Sequence, residues 1–246
     1  MALVTRELSL QRGDRLLVEG LGIGVEAGEI WTVLGPNGSG KSTLLLTLAG
    51  VLRPAAGEVI LDERRIDRWS SGQRGERIAW QGALPSAEFG FTVRERLELV
   101  PQQARNPADA LRRLDLATLA DRRLFELSAG ERQRVELAAL WLRDAPLWLL
   151  DEPTAHLDLR HQVVFLDLLR EEARAGRSLI VVLHDLTQAH AIADQALILG
   201  DDVFHRSGPA AELLRPNELR DVFGTRLHVA QGPEESALLP AYHPPR

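Results

Sequence analysis

The chain has 246 residues, 45% hydrophobic and 26% charged, so it can bury a substantial core as one large domain or two small ones. Its net charge of −6 gives no broad basic field for nucleic acid or anionic lipid, and the absence of cysteine excludes disulfides and thiolate-held metals and fits the cytosol. Met1–Glu7 lacks the basic start and apolar core of a secretory signal, and no uncharged apolar run approaches bilayer length, so any membrane-spanning part is expected on another chain.

Residues 3 to 34 read as short strands broken at Gly13, Gly20, Gly22, Gly24 and Gly28. The last of them, with Ile30, Trp31, Val33 and Leu34, runs into Gly35-Pro36-Asn37-Gly38-Ser39-Gly40-Lys41-Ser42-Thr43. Leu44, Leu45, Leu46, Leu48 and Ala49 follow at the spacing of a buried helix. Strand, glycine-rich turn and helix make a P-loop. Its glycines let successive backbone N–H groups point inward, and the positive end of the helix adds to the field, so the hollow holds phosphate oxygens. Lys41 is placed to reach the outer phosphates and Ser42 to set its hydroxyl on a magnesium ion. Of the 29 basic residues Lys41 is the sole lysine, at the one place where a compact ammonium suits the cradle better than a planar guanidinium.

Pro54 and Gly57 are expected to stop the P-loop helix, ahead of strands at Glu58–Leu61 and Arg77–Trp80. Gln81 follows, and a loop containing Gly82, Pro85 and Gly90 leads to Thr92 and Glu95, spaced as a helix cap and its reciprocal acid. Leu97, Leu111, Leu114, Leu116 and Leu119, with breaks at Pro101 and Asn106-Pro107, predict a helical insert through residue 145. Within it Ser128 and Glu131 open a helix whose face is Val135, Ala138, Ala139 and Leu142, ended by Pro146. Leu147–Leu150 reads as a central parallel strand with Asp151 and Glu152 at its end. A helix from about Leu159 to Ala173 sets Val163, Leu166 and Leu169 in register; strands at Ser178–Leu183, ending at His184-Asp185, and at Ala196–Leu199 follow. The tail from Gly232, with Pro233, Pro240, Pro244 and Pro245, is expected to be extended or disordered.

Carboxylates at the end of an apolar strand are costly unless a cation or a hydrogen-bond network meets them, and an upstream P-loop supplies one. Asp151 can accept from magnesium-bound water, while Glu152 can orient and polarise the water that attacks a γ-phosphate. The plainer reading of Asp151 and Glu152 is an acidic helix cap, and that of Ser128 and Glu131 is a capping box. However, Leu127-Ser128-Ala129-Gly130-Glu131-Arg132-Gln133-Arg134-Val135, taken with Asp151-Glu152-Pro153-Thr154, Leu157-Asp158, Gln81 and His184, resembles the ATP-binding-cassette (ABC) ATPases. The likeness runs from about residue 3 to 230.

This resemblance implies an α/β fold: a P-loop NTPase core of mainly parallel sheet flanked by helices, with an N-terminal antiparallel β layer and a helical subdomain. It divides a single domain into β layer and core at about 1–85 and 146–230, a helical subdomain at about 86–145 and an extended tail at 231–246. Gln81 is similar to the Q-loop glutamine that joins the magnesium site to the loop touching a membrane subunit. Ser128, Ala129, Gly130 and Glu131 resemble the signature motif, which contacts the γ-phosphate held by the opposite subunit. Asp158 resembles the D-loop aspartate at the dimer interface, and His184 the switch histidine at the γ-phosphate. The implied cofactors are ATP and Mg²⁺, and the implied partners a second copy, transmembrane permease subunits and, indirectly, a substrate-binding protein, at the cytoplasmic face of the membrane without nucleic acid.

The chain departs from the family pattern in three places. Ala129 and Glu131 replace a glycine and a glutamine, and the added carboxylate is expected to lower ATP affinity. Arg12 stands where an aromatic side chain usually stacks on adenine; its guanidinium plane can stack too, or it is a solvated turn residue. His156 occupies a position that is often small, and His156-Leu157-Asp158-Leu159-Arg160-His161 is similar to the iron-chelate importer ATPases. Phe89-Gly90-Phe91-Thr92-Val93-Arg94-Glu95 and the segment from Asp221 to Val229 resemble importers for ferric siderophores, haem or cobalamin. The implied function is therefore the ATP-hydrolysing subunit of an importer. The rival readings are a soluble cassette ATPase acting on nucleic acid or ribosomes, an exporter ATPase, and a subunit that binds ATP without cleaving it.

Overall fold

Apolar side chains point alternately to the two faces of one parallel sheet, and each face has its own core. The structure is a computed structural model that describes residues 3–82, 90–101, 105–223, 227–231 and 236–240. Pro85, Phe89, the 224–226 segment and Pro233, Pro244 and Pro245 lie outside these residues.

The chain opens with β1 (Leu3–Arg12), β2 (Arg15–Leu21), β3 (Gly24–Val25) and β4 (Ile30–Leu34), followed by α1 (Lys41–Leu48), β5 (Ala56–Leu61), β6 (Arg64–Arg65), α2 (Ser71–Arg77) and β7 (Ile78–Gln81). Strands β2, β1, β5 and β6 form an antiparallel layer in that order, with β3 also on β1. The helical insert holds α3 (Val93–Glu98), α4 (Pro107–Arg113) and α5 (Ala129–Leu142). Then come β8 (Leu147–Asp151), α6 (Leu159–Arg174), β9 (Ser178–Val182), α7 (Leu186–Ile192), β10 (Gln195–Leu199), β11 (His205–Pro209), α8 (Ala210–Leu213), α9 (Pro216–Phe223), β12 (Leu227–Gln231) and β13 (Ser236–Pro240). The main sheet runs β11-β10-β4-β9-β8-β7, parallel from β10 to β7, with β11 an antiparallel edge.

In β8, Leu147 and Leu149 face the core shared with α1 and the antiparallel layer, whereas Trp148 and Leu150 face the core shared with the insert. Ile180 and Val182 of β9 make the same choice against Leu179 and Val181. This period of two is what a central strand buried on both faces requires.

Four local features differ from expectation. The P-loop helix stops at Gly50, not at Pro54 or Gly57: φ there is +70°, and the Gly50 and Val51 N–H groups close onto the Thr47 and Leu46 carbonyls. Val163 is 51% exposed, because the buried face of α6 is Phe165, Leu166, Leu168 and Leu169. Helix α2 was not foreseen; Ser70 and Gln73 cap it reciprocally. The expected boundary at 230/231 falls inside β12, which pairs antiparallel with β13 in the tail.

The insert is tied to the core by charge. Arg96 of α3 grips Glu136 of α5 with two hydrogen bonds, of 3.2 and 2.6 Å. Glu172 of α6, 6% exposed, accepts from Arg105 (2.8 Å), Arg177 (2.7 Å) and the Trp141 indole (2.9 Å). Arg105 also lies over the Trp141 ring at 4.5 Å. Glu172→Ala leaves two guanidinium groups without their shared acid, so it should lower unfolding free energy by about 3–5 kcal/mol. Urea denaturation followed by circular dichroism measures this; a loss below about 1 kcal/mol, the range of an exposed pair, would show that the acid does not hold the insert.

Candidate nucleotide site

The carboxyl ends of β4, β8, β9 and β7 carry, respectively, the glycine loop, Asp151 with Glu152, His184 and Gln81. Register aligns them: Gln81 pairs with Leu150, Asp151 with Val182, and Val182 with Val33. The crevice beyond these ends is where open α/β sheets bind ligands.

Glycine is required at two points of the loop. Gly35 has φ +148°, and an added Cβ would lie 2.1 Å from the Leu199 carbonyl oxygen of β10. Gly40 has φ +103° and leaves only 3.2 Å between such a Cβ and Leu17 of β2, so the antiparallel layer leans on the loop. Pro36, Asn37, Gly38 and Ser39 complete the turn, and Lys41, Ser42 and Thr43 form the first turn of α1. Lys41 folds back, its Nζ donating to the Gly35 and Pro36 carbonyls at 2.8 and 2.9 Å. It is 6% exposed, and burial holds its pKa below the usual lysine value against the opposing pull of Glu152 and Asp151.

Asp151 sits beside the Ser42 hydroxyl, which favours its charged form. Burial nevertheless pushes its carboxyl up, and the charge of Glu152 adds to that; Ser42, Lys41 and His184 oppose. Its Oδ1 is buried without a partner, as are Gln81 Oε1 and Ser39 Oγ. Ser42, Gln81, Asp151, Glu152 and His156 line a cleft of about 310 Å³. Hydroxyl, carboxamide and carboxylate oxygens are the donors a magnesium ion takes, and two of them lack other partners, so the residues fit that ion.

Glu152 begins a tight turn with φ +53°, and His156 sits four residues on at +65°. The Glu152 N–H donates to the Val182 carbonyl at 3.2 Å, and its Oε1 lies 2.5 Å from His184 Nε2. The structure thus brings together Lys41, Ser42, Gln81, Asp151, Glu152 and His184. Arg12 stands exposed near the tip of the β1–β2 hairpin, opposite Arg15.

The α5 N-terminus docks on the same turn. Ser128 Oγ accepts from the Glu131 N–H at 3.2 Å, and Glu131 Oε2 accepts from the Ser128 N–H at 2.8 Å. That bond holds the Glu131 pKa below the usual range, so its charge is engaged at the cap. A Cβ on Gly130 would lie 2.6 Å from the His156 carbonyl oxygen, so the helix approaches closer than another residue allows. Ser128, Ala129, Gly130, Glu131, His156 and Asp158 line a second cleft of about 530 Å³, His156 being common to both. Asp158 caps α6 through the His161 N–H at 2.9 Å. Sequence reasoning missed Gln133, which is 2% exposed and donates to the Pro153 carbonyl at 2.7 Å. Its spacing of four from buried Leu137 was the available signal.

A glycine cradle with a folded-back lysine, at the carboxyl edge of a parallel sheet and facing a strand-end acid pair, defines a P-loop nucleoside-triphosphatase. Residues 18–155 match the family model described as ABC transporter. Hemin import ATP-binding protein HmuV of Pseudomonas aeruginosa is 42% identical over 243 residues, covering 92% of this chain and 94% of the relative. Iron(3+)-hydroxamate import ATP-binding protein FhuC of Bacillus subtilis is 35% identical over 245 residues, covering 94% and 91%. Among solved structures, one described as a metal-chelate type ABC transporter in an inward-facing conformation is 28% identical with a TM-score of 0.81, covering 98% of each chain. The chain belongs to the ABC transporter family and is an ATPase.

Because burial raises the Asp151 pKa, the neutral acid favours the fold. That contribution is complete below the ordinary aspartate pKa and is lost as pH rises through the raised value. Asp151→Asn should therefore raise the Tm of the nucleotide-free chain at neutral pH, with the gain vanishing toward the acid range. A scanning calorimetry series against pH checks it, and a lower Tm at neutral pH would contradict the burial argument.

Proposed function

We propose that this chain is the ATP-hydrolysing subunit of an importer for haem or a ferric siderophore, acting as a homodimer with two ATP sites beneath a separate permease. The observation that carries the reading is the meeting of Lys41, the partnerless Asp151 oxygen and the Glu152–His184 pair at one sheet edge. The cargo class rests on relatives named for hemin and iron(3+)-hydroxamate import.

In this reading the backbone N–H groups from Gly35 to Thr43 and the α1 N-terminus hold the phosphates of ATP. Lys41 exchanges its two loop carbonyls for phosphate oxygens, so the ammonium is already inside the cradle before ATP enters. Ser42, Asp151 and Gln81 would hold Mg²⁺, which when bound supplies charge neutralisation of the phosphates. Glu152 orients the attacking water and accepts its proton, and His184 holds the Glu152 carboxylate toward the γ-phosphate. Arg12 contacts adenine from the hairpin. Ser128, Ala129, Gly130 and Glu131 close over the ATP of the second copy, with Asp158 at the join, and this makes the dimer two-fold.

Among the described residues no helix is long and apolar enough to cross a membrane; in this reading membrane attachment comes through the permease. A groove of about 230 Å³ between Trp80, Gln81, Arg96, Glu136 and Arg143 lies where core and insert meet. A permease segment seated there would press on Gln81 and α5 together. The import names of the relatives weigh against an exporter, and the net charge of −6 against a nucleic-acid substrate.

Glu152→Gln should lower kcat for ATP hydrolysis by about 10²–10⁴-fold while ATP still binds and holds a dimer. Phosphate release with size-exclusion chromatography in ATP reads both, and unimpaired release removes Glu152 from the role of base. Lys41→Ala should weaken ATP binding at least about tenfold, since a charge-assisted phosphate contact is lost. Titration calorimetry decides it, with unchanged affinity speaking against the cradle.

A further inference from the structure

The turn from Glu152 to Asp158 is poorly supported by its own backbone. Two non-glycine residues, Glu152 and His156, hold positive φ, and the internal bonds are Ala155 N–H to the Glu152 carbonyl (3.0 Å) and Leu157 N–H to the Thr154 carbonyl (3.3 Å). Such strain persists only where the surroundings over-determine it. The surroundings here include a relay of two carboxamides that the proposed chemistry does not use. Thr154, 8% exposed, donates its hydroxyl to Gln188 Oε1 of α7 at 2.8 Å. Gln188 Nε2 donates to Gln162 Oε1 of α6 at 3.0 Å. Gln162 Nε2 donates to the Leu157 carbonyl at 3.1 Å and reaches the Thr154 carbonyl at 3.5 Å.

Both glutamines sit one turn inside helices that begin at functional side chains. Asp185, next to His184, caps α7 by accepting from the Thr187 N–H (2.7 Å) and the Gln188 N–H (3.2 Å), so the amide position is fixed relative to that histidine. Asp158 caps α6, four residues before Gln162. The relay therefore spans from the His184 loop to both ends of the acid turn. We infer that Gln188 and Gln162 are positioning residues for hydrolysis: through Thr154 and the Leu157 carbonyl they hold the Glu152 turn in register with His184. The inference rests on Glu152 being the base.

The direction of each bond makes the relay specific. A glutamine at 188 uses both halves of its amide, accepting from Thr154 and donating to Gln162. Leucine at the same place offers similar bulk and neither bond.

The test is steady-state ATP hydrolysis by the full chain together with its thermal stability. Gln188→Leu should lower kcat by about 10- to 100-fold, with KM for ATP within about twofold, as for a base misplaced by a fraction of an ångström. Thr154→Val should show the same split and Thr154→Ser should restore most of kcat, while Thr154→Val with Gln188→Leu should cost no more than either change alone. Unchanged kcat in Gln188→Leu, equal impairment in Thr154→Ser and Thr154→Val, or losses that multiply would each overturn the relay. Should Gln188→Leu not fold, the Thr154 pair decides. If wild type turns over and Glu152→Gln does not, while the relay variants behave as wild type, the relay fails and the assignment of the base survives. Active Glu152→Gln would instead remove the base itself.

Discussion

Burial of charge at the carboxyl edge of the parallel sheet is the constraint on which this molecule depends. An ammonium and a carboxylate are both drawn from water there, and both have pKa values displaced toward neutrality by that burial. Their mutual attraction opposes the displacement without cancelling it. A site held in this state gains from any ligand that supplies anionic oxygens to Lys41 and a cation to Asp151. A ligand that met both charges would stabilise the fold by the linkage of binding to stability.

The same edge explains why the helical insert is fastened as it is. Helix α5 reaches the acid turn through contacts that tolerate no extra atoms: Gly130 against the His156 carbonyl and Gln133 on the Pro153 carbonyl. Its middle and far end are held by the Arg96–Glu136 fork and by Trp141 on Glu172. The contacts of Gly130 and Gln133 join the insert directly to the turn holding Glu152. Because His156 lines both clefts, the turn is the wall between the site of one copy and the surface proposed to meet the other.

Much of this was legible in the sequence because the signals were local. A strand running into glycines and a lysine, an acid pair closing an apolar run, and Ser128 with Glu131 each carry their meaning within a few residues, and each lies where expected. What escaped notice depends on three-dimensional neighbours. Gln133 entered only as one letter of the Leu127–Val135 stretch, and Gln162 and Gln188 carried no local signal; only the fold shows that their amides close on carbonyls and a hydroxyl. Val163 fits a helical register, yet the face of α6 that packs is rotated toward Phe165 and Leu168. The extra carboxylate of Glu131, expected to weaken ATP binding, is engaged by its own helix cap. The stop at Gly50 was obscured by the stronger breaker at Pro54.

The near-complete replacement of lysine by arginine supports the site independently. Arginine in this fold is used where a planar fork has two directions to fill: Arg96 takes both oxygens of Glu136, and Arg177 bonds Glu172 and the Ala145 carbonyl while stacking over Trp148. The P-loop interior asks for something else. Its cation must thread past Gly35 and Pro36, donate to their carbonyls at 2.8 and 2.9 Å in the empty loop, and be able to turn those protons toward incoming oxygens. A tetrahedral ammonium on a narrow stem does this; a guanidinium adds a flat group in a loop where even a Cβ at Gly35 finds no room. It also cannot relieve its burial by losing a proton, as an ammonium can. The single position that kept lysine is thus the one whose geometry excludes the alternative, as a phosphate cradle demands and a surface charge would not.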